Sequence, residues 1–232
     1  DAHLSLYRHD PNQGVSHIIQ HGESALEYNF AFEQLQVLPG NIGYLKFNKF
    51  HPDKRAIDVA DYAFQFLKYT DGLIIDLRHN VGGSPWLVQN MLSYFFSENT
   101  PMWAIEDKHK SLVSQHNALP DKSFQFAPSH PVYVLTSPVT ASAAEIFTSV
   151  LQANKRATVV GSKTGGAAYL VGARQVNESL NVRISLMQPI VTATGTNWEG
   201  VGVQPDVKTP VADALSYALA AMNNKKPVSS SK

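Results

Sequence analysis

The sequence predicts an α/β domain on a mixed, largely parallel sheet, with a small β layer at its N-terminus. Two apolar runs, Gly72–Leu77 and Pro131–Thr136, read as strands buried on both faces. Each leads directly into a segment with helix-start signals, and along the chain the period-two and helical patterns alternate. The 232 residues, 44% of them hydrophobic and 16% charged, suffice to bury a substantial core in one large domain.

In the first 40 residues, short alternating stretches at 3–7, 15–19 and 30–38 lie between turn residues and predict strands of a small antiparallel layer. After Pro39-Gly40, residues 42–47 read as a strand, and Ile57, Ala60, Phe64 and Leu67 give 55–69 helical spacing. Ser84-Pro85 supplies a cap and a first-turn proline for a helix after the 72–77 strand. Residues 108–131 are polar, with scattered His and Pro, and predict a long loop. A helix over about 142–154, a short strand at 157–161, an alternating strand at 182–190 and a closing helix at 212–222 complete the reading. The expected organisation is an N-terminal β segment at 1–40, a core at 41–224 and a frayed tail at 225–232. The 1–40 segment is expected to be the remnant of, or junction to, a further N-terminal domain. Functional groups should gather beyond the carboxyl ends of the parallel strands, in the loops 78–84, 137–142 and 162–169.

Composition narrows the function classes. Nineteen basic residues balance nineteen acidic ones, and no Lys/Arg run or basic helix points to nucleic acid or an anionic membrane. The absence of cysteine excludes a disulfide scaffold, a thiolate zinc site and a cysteine nucleophile. No apolar run approaches the roughly 20 residues of a membrane-spanning helix. No pair of histidines has the spacing of a helical zinc site, and neither a Walker loop, a dinucleotide fingerprint nor a Gly-x-Ser-x-Gly elbow occurs. No metal or cofactor is expected.

Three stretches could carry chemistry. Thr140-Ala-Ser142-Ala-Ala-Glu145 puts Ser142 at a helix N-terminus, where free backbone N–H groups can meet a developing anion. The same Ser-x-x-Glu spacing is a capping box, and on local sequence alone the cap is the commoner meaning. The paired glycines Gly82-Gly83 let a backbone approach a ligand closely, and equally suit a tight turn. Glu199, among apolar neighbours in Trp198–Asp206, is either an orienting carboxylate or a solvated loop residue. Of the histidines, His51, His109, His116 and His130 lie in polar or loop-like stretches and are expected to face solvent, whereas His3 sits in an alternating one.

The order of these pieces resembles the tail-specific (C-terminal-processing) serine protease family, in the branch of interphotoreceptor retinoid-binding protein and the tricorn core. The resemblance is carried by Asp1–Leu6, Gly43-Tyr-Leu45, Leu73–Gly83, Thr140–Phe147, Val160-Gly161, Thr164–Ala167 and Trp198–Asp206. It implies a crotonase-like (ClpP-like) spiral of ββα units. It also implies Ser142 as nucleophile, His3 as base, Glu199 completing the relay, and the N–H groups of Gly83 and Ala143 as oxyanion donors. Gly82, Gly165 and Gly166 would line the path of a polypeptide substrate. Ala167 stands where a lysine base is expected in the bacterial members, so the resemblance favours Ser–His–Glu over Ser–Lys, and Lys163, four residues earlier, is not promoted to base. There is no room between His3 and Gly40 for the PDZ domain that many members carry. The family implies a periplasmic or secreted enzyme, and oligomerisation is left open. The alternative within the same fold is a non-catalytic module that binds retinoid, fatty acid or another hydrophobic ligand. Joint survival of His3, Ser142 and Glu199 favours the peptidase.

Overall fold

The computed structural model describes residues 5–8 and 28–224. A six-stranded sheet has the order β11-β8-β7-β4-β3-β2, built from β2 (Phe32–Leu38), β3 (Ile42–Phe47), β4 (Gly72–Asp76), β7 (Val132–Thr136), β8 (Thr158–Gly161) and β11 (Val207–Lys208). All its pairings are parallel except the β2–β3 hairpin. The mixed, largely parallel sheet predicted from the buried runs is therefore present.

Period-two alternation sorts its side chains to two faces. Leu73, Ile75, Val132 and Val134 enter the larger core, beneath α1 (Arg55–Leu67), α2 (Pro85–Leu92) and α3 (Ala143–Ala153). Their neighbours Ile74, Tyr133 and Leu135 turn to the opposite face and meet Ala214, Ala218 and Met222 of α4 (Ala214–Asn224). Continuous apolar runs are what a sheet covered on both sides requires.

A second sheet is antiparallel. Its order is β1-β10-β5-β6, with β9 on β10, and it comprises β1 (Ser5–Arg8), β5 (Pro101–Asp107), β6 (Leu112–Asn117), β9 (Leu170–Asn177) and β10 (Leu180–Val191). The expectation of a loop over 108–131 holds for 118–131 but is overturned at 112–117. Residues 112–117 form β6, and its half-exposed polar pattern is held by pairing with β5. Nor do the described strands of the first 40 residues form one layer. β1 pairs with β10 in the antiparallel sheet and β2 with β3 in the other, because each finds its partner through the tertiary fold. Residues 15–19 lie outside the described residues.

Strands β4 and β7 run parallel side by side, and each is followed by a helix, α2 and α3. The N-termini of both helices therefore open at the same end of the sheet, and the two helices pack together. That end is where the loops 78–84, 137–142 and 162–169 meet.

Candidate active site

Ser142 is the N-cap of α3, half-buried, with φ 55° and ψ −121°. That conformation is one L side chains rarely adopt and costs roughly 1–3 kcal/mol, so its surroundings must impose it. Three contacts do so. The Ser142 N–H donates to Glu145 Oε2 at 2.8 Å. The preceding Ala141 N–H donates to the carbonyl of Asn80 at 3.1 Å. Gly82 fills the space alongside: a Cβ there would lie 2.7 Å from Ser142 Cβ and 2.7 Å from the Ala141 carbonyl. No residue with a side chain could occupy position 82 with the serine in place.

Gly82 is fixed in turn by Asn80, fully buried, whose Oδ1 accepts from Gly82 N–H at 2.9 Å and whose Nδ2 donates to the Phe47 carbonyl at 3.0 Å. Gly83 has φ 136°, and a Cβ on it would come within 2.1 Å of the Phe50 carbonyl oxygen. Phe50 bridges this turn by donating to the Gly82 carbonyl at 2.8 Å and accepting from Ser84 N–H at 2.6 Å. Among the described residues the N–H groups of Gly83 and Ala143 donate to nothing. Both belong to the corner that holds Ser142, and Gly82 touches Ala143 N.

Glu145 does far more than cap a helix. It is fully buried, and its two oxygens accept from Ser142 N–H, from Gly166 N–H at 2.7 Å, from Ala167 N–H at 2.9 Å and from the Thr164 hydroxyl. Thr164 also accepts from Val203 N–H at 2.7 Å, which ties in the segment after Trp198. A buried carboxylate is tolerable when its lone pairs are filled in this way. The Ser-x-x-Glu spacing signalled Glu145 only as a cap; its partners at 164–167 are beyond any local pattern.

Glu199 is half-buried rather than solvated. Its Oε2 accepts from Ala168 N–H at 2.8 Å and Tyr169 N–H at 3.2 Å, and Gly200 N–H donates to the Gly166 carbonyl at 2.9 Å. Thus Ser142, Glu145, the 164–169 loop and Glu199 form one hydrogen-bonded series. Gly165 is exposed beside Ser142's loop, with its N–H on the Thr140 carbonyl at 2.9 Å, while Gly166 is buried against Gly202 and Gly200. Ala167 is buried, and Lys163 is exposed with its stem over Gly202. His3 lies outside the described residues.

Of the four histidines expected to face solvent, His109 does and the other three correct the expectation. His51 is buried at 8% exposure, with its ring edge-on to Phe30 at 5.5 Å. His116 and His130 are half-buried, and burial pushes both below the ordinary imidazole range, the Arg156 charge adding to the effect at His130. Beneath the site, burial would raise Asp76, but a bidentate Arg78 (2.6 and 2.9 Å) and the Tyr44 hydroxyl (2.7 Å) outweigh it and hold the carboxyl below its usual range. Tyr44 is pushed up, by burial first and then by Asp76. Among the described residues no three His, Asp or Glu side chains group as a metal site would need.

The profile of Peptidase family S41 matches residues 41–209, from β3 through β11. The chain belongs to peptidase family S41. It is 26% identical over 215 residues to the carboxy-terminal processing protease CtpB of Bacillus subtilis, covering 92% of this chain and 43% of that protein. It is 30% identical over 173 residues to a probable CtpA-like serine protease of Staphylococcus haemolyticus, covering 72% and 33%. This S41 chain thus spans less than half the length of these relatives. Among solved structures, a putative peptidase from Parabacteroides merdae superposes with a TM-score of 0.69 at 21% identity, over 96% of this chain and 78% of that one. The photosystem II D1 C-terminal processing protease gives 0.62 at 23%, over 75% and 45%. Likenesses at these identities establish the fold.

Proposed function

We propose that this chain is the catalytic core of a serine endopeptidase that cleaves polypeptides by acyl transfer. Ser142 attacks, His3 takes its proton, Glu199 orients the imidazole, and the N–H groups of Gly83 and Ala143 receive the oxyanion. Gly82, Gly165 and Gly166 border the path of the substrate backbone. The core, residues 41–224, takes a crotonase-like spiral of ββα units, with 1–40 as an N-terminal segment and 225–232 as a tail. The enzyme acts in the periplasm or outside the cell; among the described residues no helix is long and apolar enough to cross a membrane.

One observation carries the reading: Ser142 is held in a strained helix-start conformation against Gly82, and the N–H groups of the adjoining residues Gly83 and Ala143 have no described acceptor. A serine that merely caps a helix needs neither the strain nor the paired glycines. Each oxyanion donor would contribute about 3 kcal/mol to the transition state. Ala167, buried where the Ser–Lys mechanism needs its base, supports histidine instead. In favour of His3, the neighbouring strand β1 pairs with β10, Ser5 opposite Arg183. The Ser185–Gln188 stretch of that strand lines a cavity of about 290 Å³ with Tyr169, the residue whose N–H meets Glu199. Asp107, Lys108 and Lys110 also line that cavity, so its walls do not favour the alternative of a retinoid or fatty-acid chamber.

The test is labelling with a fluorophosphonate probe. Wild type should label, and Ser142→Ala and His3→Ala should not. Glu199→Gln keeps an oxygen for Ala168 and Tyr169 and should label slowly. A folded wild type that does not label overturns the proposal.

A further inference from the structure

We propose that Trp86 forms the wall of a substrate subsite for a large apolar side chain, within two or three residues of the scissile bond. The inference rests on the peptidase reading above and adds what that reading leaves open, the side chain that is recognised.

Trp86 is 69% exposed, in the first turn of a helix whose next two residues, Leu87 and Val88, are buried. The fold gains little from so large an apolar group in that position. Its place is fixed by the site. Gly82, four residues earlier, lies against Ser142, and Trp86 is the second residue of the helix that packs beside the nucleophile's own helix, with both N-termini at one end of the sheet. Packed helices lie about 8–10 Å apart. An extended peptide advances about 3.3 Å per residue, so a substrate bound at Ser142 passes Trp86 within two or three residues. Val81 (57% exposed) and Val139 (49% exposed) are further exposed apolar side chains on the two loops that meet at the serine.

The indole is also braced. Its ring meets His116 edge-to-face at 6.3 Å, and His116 lies flat on the buried Trp103 at 4.6 Å with an interplanar angle of 5°. The Ser114 hydroxyl lies 3.2 Å from His116 Nε2, and Gln89 Nε2 donates to the Asn117 carbonyl at 2.8 Å, fastening α2 to β6. An exposed aromatic that already rests against a neighbouring ring loses less freedom on binding than one with no such contact. A Leu, Phe or Met side chain of a polypeptide suits such a wall; a carboxylate or a lone glycine does not.

The experiment uses a positional-scanning library of internally quenched hexapeptides, with cleavage sites read by mass spectrometry. Wild type should show one position at which Phe or Leu exceeds Asp and Gly in kcat/KM. Trp86→Ala should reduce that preference by about tenfold or more, the range expected when an apolar subsite is lost, while Trp86→Phe keeps most of it. Thermal melts of all three confirm folding, as an exposed side chain should permit. A preference unchanged in Trp86→Ala, or a labelled and cleaving wild type with no apolar preference at any position, overturns the subsite alone. A wild type that fails to label with fluorophosphonate instead removes the peptidase reading on which it rests.

Discussion

Replacing Glu145 by glutamine tests whether a buried charge organises the proposed nucleophile, Ser142. The carboxylate accepts four hydrogen bonds, two at each oxygen. In the less damaging orientation of a glutamine, its amide nitrogen takes the Oε1 position. The Thr164 hydroxyl can turn to accept there, but Gly166 N–H faces another donor. The opposite orientation sets the amide against both Ser142 and Ala167 N–H. One orphaned buried N–H costs about 1–3 kcal/mol, and each of two remaining bonds loses about 1 kcal/mol on becoming neutral. The sum, about 3–5 kcal/mol, is a large part of the roughly 5–15 kcal/mol that stabilises a domain. At about 2–4 °C per kcal/mol for this size, calorimetry at constant pH should show the variant melting roughly 6–20 °C below wild type. It should fold at 25 °C and label slowly, since the Ser142 backbone is released from its strained well. A melting temperature within about 2 °C of wild type would refute the view that this carboxylate is the charged hub of the site.

Three further outcomes follow from the same geometry. Ser142→Gly relieves the positive φ, so both Ser142→Gly and Ser142→Ala should lose labelling while the glycine variant melts higher, by up to about 1–2 kcal/mol of stability. Gly82→Ala introduces a Cβ 2.7 Å from both Ser142 Cβ and the Ala141 carbonyl; overpacking of this kind costs about 1–3 kcal/mol, and labelling should fall with the shifted serine. His116 and His130 are both held below the usual imidazole range by burial. The unfolded chain therefore takes up their protons first, near pH 6.5. The stability they contribute is complete above that pH and is lost as pH falls through their folded values. Melting temperature should fall from pH 7.5 to 5, and less steeply in a His116→Phe variant.

The predicted strands at 42–47, 72–77, 131–136 and 157–161 appear within a residue at either end, because a strand covered on both faces must be apolar throughout. The strands β5, β6 and β9 were not legible. β9 is half-exposed and mostly polar, and it exists because β10 pairs with it residue by residue. The loops at Gly82-Gly83 and Ser142 could be located, but the meaning of each stayed open between turn and site, cap and nucleophile. The histidines show the same limit. Polar sequence around His51 and His116 suggested solvent, yet Phe30 and Trp103, each more than ten residues away, cover them.

The sequence by itself determined the layered α/β class, the helix starts and the residue types gathered at one end of the sheet. These depend on periodicity and on local backbone chemistry, which are written residue by residue. Tertiary structure decided that Glu145 binds the 164–167 loop as well as its own cap, that a side chain at position 82 would collide with Ser142, and that Trp86 stays exposed. Those facts depend on distances between segments nineteen to sixty residues apart along the chain. Only the packing of α2, α3 and the sheet sets such distances, since every local pattern here fits more than one arrangement in space.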